Sequence, residues 1–122
     1  MDGSAPDPTL SATAWHAICA PDDILPNLGV AALVDDRQIA VFRVRQRDGS
    51  DQFYAIDNFD PQSDANVLSR GLTGSLGGRI VVASPIYKHH YDLVTGECLE
   101  EPATPVRAYA VRIEDGQVWV AV

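Results

Sequence analysis

Residues 30–44 read VAALVDDRQIAVFRV, and this stretch decides the fold class. Two apolar runs, 30–34 and 38–44, flank Asp35-Asp36, a pair that favours a tight turn. In the second run Ala40, Phe42 and Val44 share one face of an extended chain, while Ile39, Val41, Arg43 and Arg45 share the other. The pattern predicts a β-hairpin.

Short extended runs continue on both sides of this hairpin. We predict strands at 15–19, 52–58 and 79–83, a hairpin at 91–99, and a last hairpin from 106–113 and 117–122. We expect one short helical turn at 24–26. Residues 59–78 are rich in glycine and poor in apolar side chains, which favours a long irregular loop. Because no stretch has a sustained helical period, the sequence predicts an all-β sandwich or small barrel.

Composition narrows the class of protein. The chain has 122 residues, 46% of them hydrophobic, and a net charge of −8, which fits one globular domain. An acidic surface repels phosphate backbones and anionic lipids, so we predict no nucleic-acid and no membrane partner. Residues 1–13, MDGSAPDPTLSAT, predict a flexible N-terminal tail without a signal peptide. Cys19 and Cys98 form no CxxC motif, which is typical of buried thiols in a cytoplasmic protein.

Few side chains indicate chemistry. His89 and His90 are adjacent, so in a strand they point to opposite faces and do not share one metal ion. The acidic stretch from Asp51 to Asp64 predicts a solvated loop. The arginines at 43, 45 and 47 predict a solvated face with ion pairs, or alternatively a docking patch. Trp15 and Trp119 lie in apolar terminal strands, and we expect both to be largely buried.

Three stretches together carry a family resemblance. They are residues 53–62 (FYAIDNFDPQ), 68–71 (LSRG) and 82–96 (VASPIYKHHYDLVTG). This combination resembles the Rieske domain, whose [2Fe–2S] cluster is held by Cys-x-His on one loop and Cys-x-x-His on another. In this alignment Asp60 and Gln62 stand at the first Cys and His, and Ser84 and Tyr87 at the second Cys and His. The resemblance therefore implies that all four ligands are replaced.

A narrower resemblance is to the small subunit of assimilatory NAD(P)H-dependent nitrite reductase, through DNFDP, LSRG and SPIYK. It implies a Rieske-like (ISP-type) fold over 14–122, with residues 57–96 as the smaller loop-and-strand lobe equivalent to the cluster-binding lobe. It also implies a non-catalytic cytoplasmic subunit with no cofactor, metal or catalytic residue of its own. The implied partner is the large subunit, which carries FAD, a [4Fe–4S] cluster and sirohaem and reduces nitrite to ammonium. The candidate docking residues are Asp60, Gln62, Ser84, Ile86 and Tyr87.

Three other interpretations stay open at this point. The chain could be a Rieske-like interaction module for a different redox partner, or a ferredoxin-like electron carrier with an unusual cluster. It could also be an enzyme that uses Asp60, Ser84 and Tyr87, although the sequence places no histidine base to activate Ser84.

Overall fold

The computed structural model describes residues 14–122, and the tail predicted at 1–13 lies outside the described residues. The described chain is all-β, as predicted, and contains no helix with the length and hydropathy of a membrane span. Its strands are β1 (Trp15–Cys19), β2 (Leu28–Val34), β3 (Arg37–Arg45), β4 (Asp51–Asp57), β5 (Phe59–Asp60), β6 (Ala65–Asn66), β7 (Leu72–Leu76), β8 (Arg79–Ala83), β9 (His90–Asp92), β10 (Ala108–Tyr109), β11 (Val111–Glu114) and β12 (Gln117–Ala121). Two short 3₁₀ turns, η1 (Pro21–Asp23) and η2 (Leu68–Arg70), interrupt them.

The hairpin at 30–44 is confirmed as β2 and β3, which pair antiparallel along their length. Asp35 and Asp36 both have positive φ, 49° and 66°, the conformation of the two-residue turn that matches strand twist. Strand β3 then pairs with β4, and β4 with β10, to give a four-stranded sheet. Both faces of β3 are buried, so this sheet separates two apolar clusters.

The two clusters divide the core between three sheets. On one face, Phe42 and Ile56 pack against Leu68, Val82 and Tyr91, which come from η2 and from the sheet β7-β8-β9. On the other face, residues of β3 and β4 pack with Val118 and Val120 of the sheet β1-β12-β11. The predicted sandwich is thus built around the four-stranded sheet, and the short pair β5-β6 contacts the smaller sheet β7-β8-β9 through the hydrogen bond from Tyr91 to Asp60.

The prediction of a long irregular loop at 59–78 is wrong. The structure instead places β5, β6, η2 and β7 there. Gly77 and Gly78 have positive φ, 60° and 79°, and form the tight turn of the hairpin β7–β8. Two-residue strands are too short to produce an alternating pattern, which is why the sequence did not indicate them.

Two further elements differ from their predictions. The short helical turn lies at Pro21–Asp23, not at 24–26, because a proline begins it and the Asp23 carboxylate accepts a hydrogen bond from the Ala20 backbone at 3.0 Å. The strand predicted at 106–113 is divided at the exposed Ala110. Its first part, β10, pairs with β4, and its second part, β11, pairs with β12, so the chain changes sheets at this residue.

The predicted burial is wrong for Trp15 and holds in part for Trp119. Trp15 is 38% exposed, with the Arg112 guanidinium 4.3 Å from the centre of its ring. Trp119 is half-buried and donates its indole N–H to the carbonyl of Glu114 at 3.0 Å. In β12 the buried residues are Val118 and Val120, and because strand side chains alternate, Trp119 takes the outer face.

The first and last described residues lie side by side. Strand β1 pairs antiparallel with β12, and beyond it Ala14 and Val122 exchange two backbone hydrogen bonds, each 3.0 Å long. Both ends of the described chain therefore emerge at one corner of the sheet β1-β12-β11.

Candidate functional site

The carboxylate of Asp60, in β5, lies at the centre of a buried hydrogen-bond network. Its side chain is fully buried and accepts bonds from two parts of the chain, residues 62–63 and 84–91. The donors are the backbone N–H of Gln62 (3.0 Å), Oγ of Ser63 (2.8 Å), Oγ of Ser84 (2.6 Å), Nε2 of His89 (3.0 Å) and the hydroxyl of Tyr91 (2.8 Å). These donors fill the acceptor sites of an ionised carboxylate.

Asn58 holds the first loop in place. Its side chain is buried, accepts the backbone N–H of Ser69 at 2.7 Å and donates to the Gln38 side chain at 2.9 Å. The backbone carbonyl of Asn58 accepts hydrogen bonds from the backbone N–H groups of Val67 and Leu68. The DNFDP motif therefore fastens η2 and β3 to the loop that presents Asp60.

The second loop is closed by its own backbone. The N–H of Ser84 donates to the carbonyl of His89 at 2.8 Å, and the N–H of Lys88 donates to the carbonyl of Ser84 at 2.9 Å. Lys88 has a φ of 61°, which turns the chain back toward β9. Between these fixed points Ile86 and Tyr87 form an exposed tip.

The network fixes the protonation of its two central groups. Burial by itself raises the pKa of Asp60, but the hydrogen bonds from Ser84, His89, Ser63 and Tyr91 outweigh it and hold the pKa well below its usual range. Burial, followed by the hydrogen bond to Asp60, raises the pKa of Tyr91 far above its usual value. At neutral pH the pair is therefore a carboxylate and a protonated phenol.

The predicted docking residues fall into two groups. Asp60 and Ser84, at the two cysteine positions of the resemblance, are buried and bond to each other. Of the two histidine positions, Gln62 is half-buried and Tyr87 is 65% exposed. Ile86 is 47% exposed beside Tyr87. The tip therefore offers an apolar surface, while the polar pair below it is closed to solvent.

Sequence reasoning missed three members of the network, Ser63, His89 and Tyr91. The two adjacent histidines have different partners: Nε2 of His89 lies 3.0 Å from Asp60, while Nδ1 of His90 lies 2.6 Å from Glu100. Nothing in the spacing indicated that His89 would face Asp60 across the gap between two loops.

The acidic stretch is not the solvated loop that we expected. Asp51 accepts hydrogen bonds from Arg43 and Arg45, and Asp57 accepts one from the hydroxyl of Tyr109. Two arginines of the predicted stripe are thereby occupied, which confirms the expected ion pairs and leaves Arg47 without a carboxylate partner in residues 14–122. Across this range no group of three or more His, Cys, Asp and Glu side chains is arranged to hold a metal ion.

Chemically, the network is suited to holding two loops together. Ser84 donates its proton to a carboxylate, and the ring of His89 faces Asp60. The Ser84–Asp60 pair therefore has no histidine base between nucleophile and acid, which an activated serine requires. Burial keeps the thiol of Cys98 protonated by raising its pKa.

Comparisons with known proteins place this geometry in a family. A model of the Rieske-like [2Fe-2S] domain matches residues 14–121. The nitrite reductase (NADH) small subunit of Escherichia coli strain K12 is 45% identical over 104 residues, which cover 85% of this chain and 94% of the relative. The chain belongs to the Rieske-like family of nitrite reductase small subunits.

Two more relatives extend this result to structure and to chain organisation. The NMR structure of the E. coli protein NirD superposes with a TM-score of 0.81 and 43% identity, over 90% of this chain and 97% of that one. The nitrite reductase NAD(P)H large subunit of Klebsiella oxytoca is 45% identical over 114 residues, which are 93% of this chain but 11% of that protein. This member of the small-subunit family thus spans only a small part of that relative.

Proposed function

We propose that this chain is the non-catalytic small subunit of a cytoplasmic assimilatory nitrite reductase. In this role it supports the NAD(P)H-dependent reduction of nitrite to ammonium by a large subunit that carries FAD, a [4Fe–4S] cluster and sirohaem. The observation that carries the proposal is the closed Asp60–Ser84 hydrogen-bond pair at the former cysteine positions of a small-subunit homologue. A domain that keeps the fold but replaces the reactive centre with internal hydrogen bonds is suited to binding.

The residues present do not fit the [2Fe–2S] cluster of the wider family. Such a cluster needs two thiolates on one iron and two imidazoles on the other. Here the matching positions hold a carboxylate, an amide, a hydroxyl and a phenol, and the Asp60 carboxylate is already saturated by five donors. We therefore propose that the chain binds no cluster and transfers no electrons through this site.

We assign docking to the large subunit to the two loops of the lobe at 57–96, which the Rieske resemblance implies is the equivalent of a cluster-binding lobe. Exposed Ile86 and Tyr87 supply apolar contact area, and Gln62 lies on the neighbouring loop. Asp60 and Ser84 act beneath them by fixing both loops to each other. Loops held on a rigid scaffold are common binding elements.

The test combines purification with an assay. The chain is produced alone and with the large subunit encoded in the same organism, and nitrite-dependent oxidation of NADH and NADPH is measured. We expect the chain alone to be colourless, free of iron and acid-labile sulfide, and inactive, and to co-purify with an active large subunit. A Rieske-type EPR signal would show instead an electron carrier, and an active large subunit that never binds this chain would point to a different redox partner.

Variants locate the contact. Ile86→Glu should weaken assembly, because a charge at a buried interface loses its hydration without gaining a partner. Ile113→Glu is the matched control, since Ile113 is 48% exposed on β11, away from both loops. Ser84→Ala should leave turnover of the assembled enzyme within a few-fold of wild type. Loss of turnover in Ser84→Ala with binding intact would make the chain catalytic and overturn the proposal.

A further inference from the structure

A groove with a volume of about 480 Å³ opens beside the exposed tip. One side of the groove is formed by the end of η2 and the start of β7. The other side is formed by the loop after β8. Its lining includes Arg70, Leu72, Pro85, Lys88 and His90. Leu72 is 77% exposed. The groove therefore combines an uncovered apolar side chain with basic groups.

The two cations of this groove are free in the described part of the chain. Arg70 and Lys88 have no carboxylate within ion-pair distance among residues 14–122, whereas five other basic side chains do. Those five are Arg37, Arg43, Arg45, Arg79 and Arg112. The remaining two, Arg47 and Arg107, do not line this groove.

None of the acidic side chains among residues 14–122 lines the groove. Two carboxylates contact residues of the lining. The buried Asp60 accepts a hydrogen bond from Oγ of Ser84 at 2.6 Å, and Glu100 accepts one from the backbone N–H of His90 at 2.7 Å and lies 2.6 Å from Nδ1 of its ring. Glu100 is thus already engaged by His90. Because Asp60 is fully buried and Glu100 is engaged by His90, the exposed charges that line the groove are the two cations, on a chain whose net charge is −8.

The two exposed cations of the groove favour a partner segment with negative charge. An acidic segment is repelled by the net negative charge of the chain and attracted by the two cations of this groove, so the charge pattern favours one orientation of the encounter. Arginine binds carboxylates with two parallel hydrogen bonds, and lysine adds a point charge beside it. Leu72, with Ile86 and Tyr87 on the adjacent tip, supplies the apolar area that two charges alone do not provide.

We propose that the groove between Arg70 and Lys88 binds a carboxylate-bearing, partly apolar segment of the nitrite reductase large subunit. The proposal rests on the proposed function and names the chemistry of its contact. Arg70 and Lys88 hold the carboxylates, while Leu72 packs against the apolar part of the segment. The occupant is a protein segment because the groove lies next to the apolar tip and because only two free cations face it, too few to follow a nucleic-acid backbone.

The experiment measures binding of this chain to the purified large subunit. The double variant Arg70→Glu/Lys88→Glu is compared with Arg47→Glu/Arg107→Glu, which makes the same change of charge at exposed residues outside the groove. Kd is measured at about 50 mM and about 300 mM salt, where screening differs strongly. We expect the groove variant to bind at least about tenfold more weakly and to lose most of the salt dependence, with the control within about twofold of wild type.

Several outcomes overturn the proposal while leaving the proposed function intact. One is wild-type affinity in the groove variant together with weak binding by Ile86→Glu. Another is equal weakening by the control, which makes net charge, not position, decisive. Binding of inorganic phosphate that the groove variant abolishes, with wild-type affinity of that variant for the large subunit, would identify a simple anion pocket. If wild type itself fails to bind an active large subunit, the proposed function falls first. Thermal unfolding of each variant checks that it is folded.

Discussion

Asp60 is a buried charge that is stable because its surroundings supply donors from two loops. Ionised carboxylates are costly to bury unless paired and hydrogen-bonded. Here the hydroxyls of Ser84 and Tyr91 and the ring of His89 meet that cost, and the same bonds tie the segment after β4 to the segment after β8. One residue therefore determines how the two loops are spaced.

Asp60→Asn should destabilise the fold by about 2–4 kcal/mol, because the amide offers one acceptor oxygen and leaves buried hydroxyls without a partner. Asp64→Asn is the control: Asp64 is exposed with a φ of 57°, a conformation that asparagine tolerates, so its stability should change by less than about 0.5 kcal/mol. Urea unfolding measures both. Equal stability of the two variants would contradict a central role for the carboxylate.

Among the elements, the strands that the sequence predicted well are those with a long pattern. The hairpin β2–β3 has up to nine residues a strand and a turn marked by two aspartates, so its pattern was sufficient. Hairpin β7–β8 was missed although its turn is Gly77-Gly78, a favoured pair for a tight turn, because its exposed first strand lacks apolar alternation. The resemblance located Asp60 and Ser84, but His89 and Tyr91 enter the network only through tertiary packing.

Two glycines, one just before β7 and one within it, differ in how closely the neighbouring chain approaches them. A Cβ on Gly71 would lie 2.2 Å from the carbonyl oxygen of Ala83, whereas a Cβ on Gly74 would meet nothing within 4 Å. Gly71→Ala should therefore cost about 1–3 kcal/mol, and Gly74→Ala should stay within about 0.5 kcal/mol of wild type. Chemical denaturation distinguishes them. A neutral Gly71→Ala would mean that the strand ends move apart at no cost.

At the scale of the whole molecule, one sheet with two buried faces organises the core. Alternation in β3 indicated two faces, but it did not indicate that both would be covered. The chain changes sheets at Ala110 because β10 pairs with β4 and β11 pairs with β12. The local sequence pattern does not indicate these pairing partners. The sequence was therefore sufficient for the fold class and insufficient for the assignment of strands to layers.

Stability should fall steeply in acid. Asp92, like Asp60, has a lowered pKa. Burial by itself raises the pKa of Asp92, but the backbone N–H groups of Thr95 and Val94 and the guanidinium of Arg79 outweigh burial and lower it. Because these folded pKa values lie below the unfolded value near 3.9, their stabilisation is complete above about pH 4 and is lost as the pH falls. Urea melts between about pH 6 and pH 2.5 test this, and Asp60→Asn should show a shallower loss than wild type.

The adjacency of Ala14 and Val122 has a consequence for how genes encode this domain. A linker attached at either end leaves from the same corner, so covalent fusion to a neighbour disturbs no sheet. The Klebsiella oxytoca relative, in which a counterpart of this chain makes up 11% of a much longer polypeptide, is compatible with that freedom. Fusion replaces a concentration-dependent encounter with a tethered one, at an effective concentration of about a millimolar for a short flexible linker.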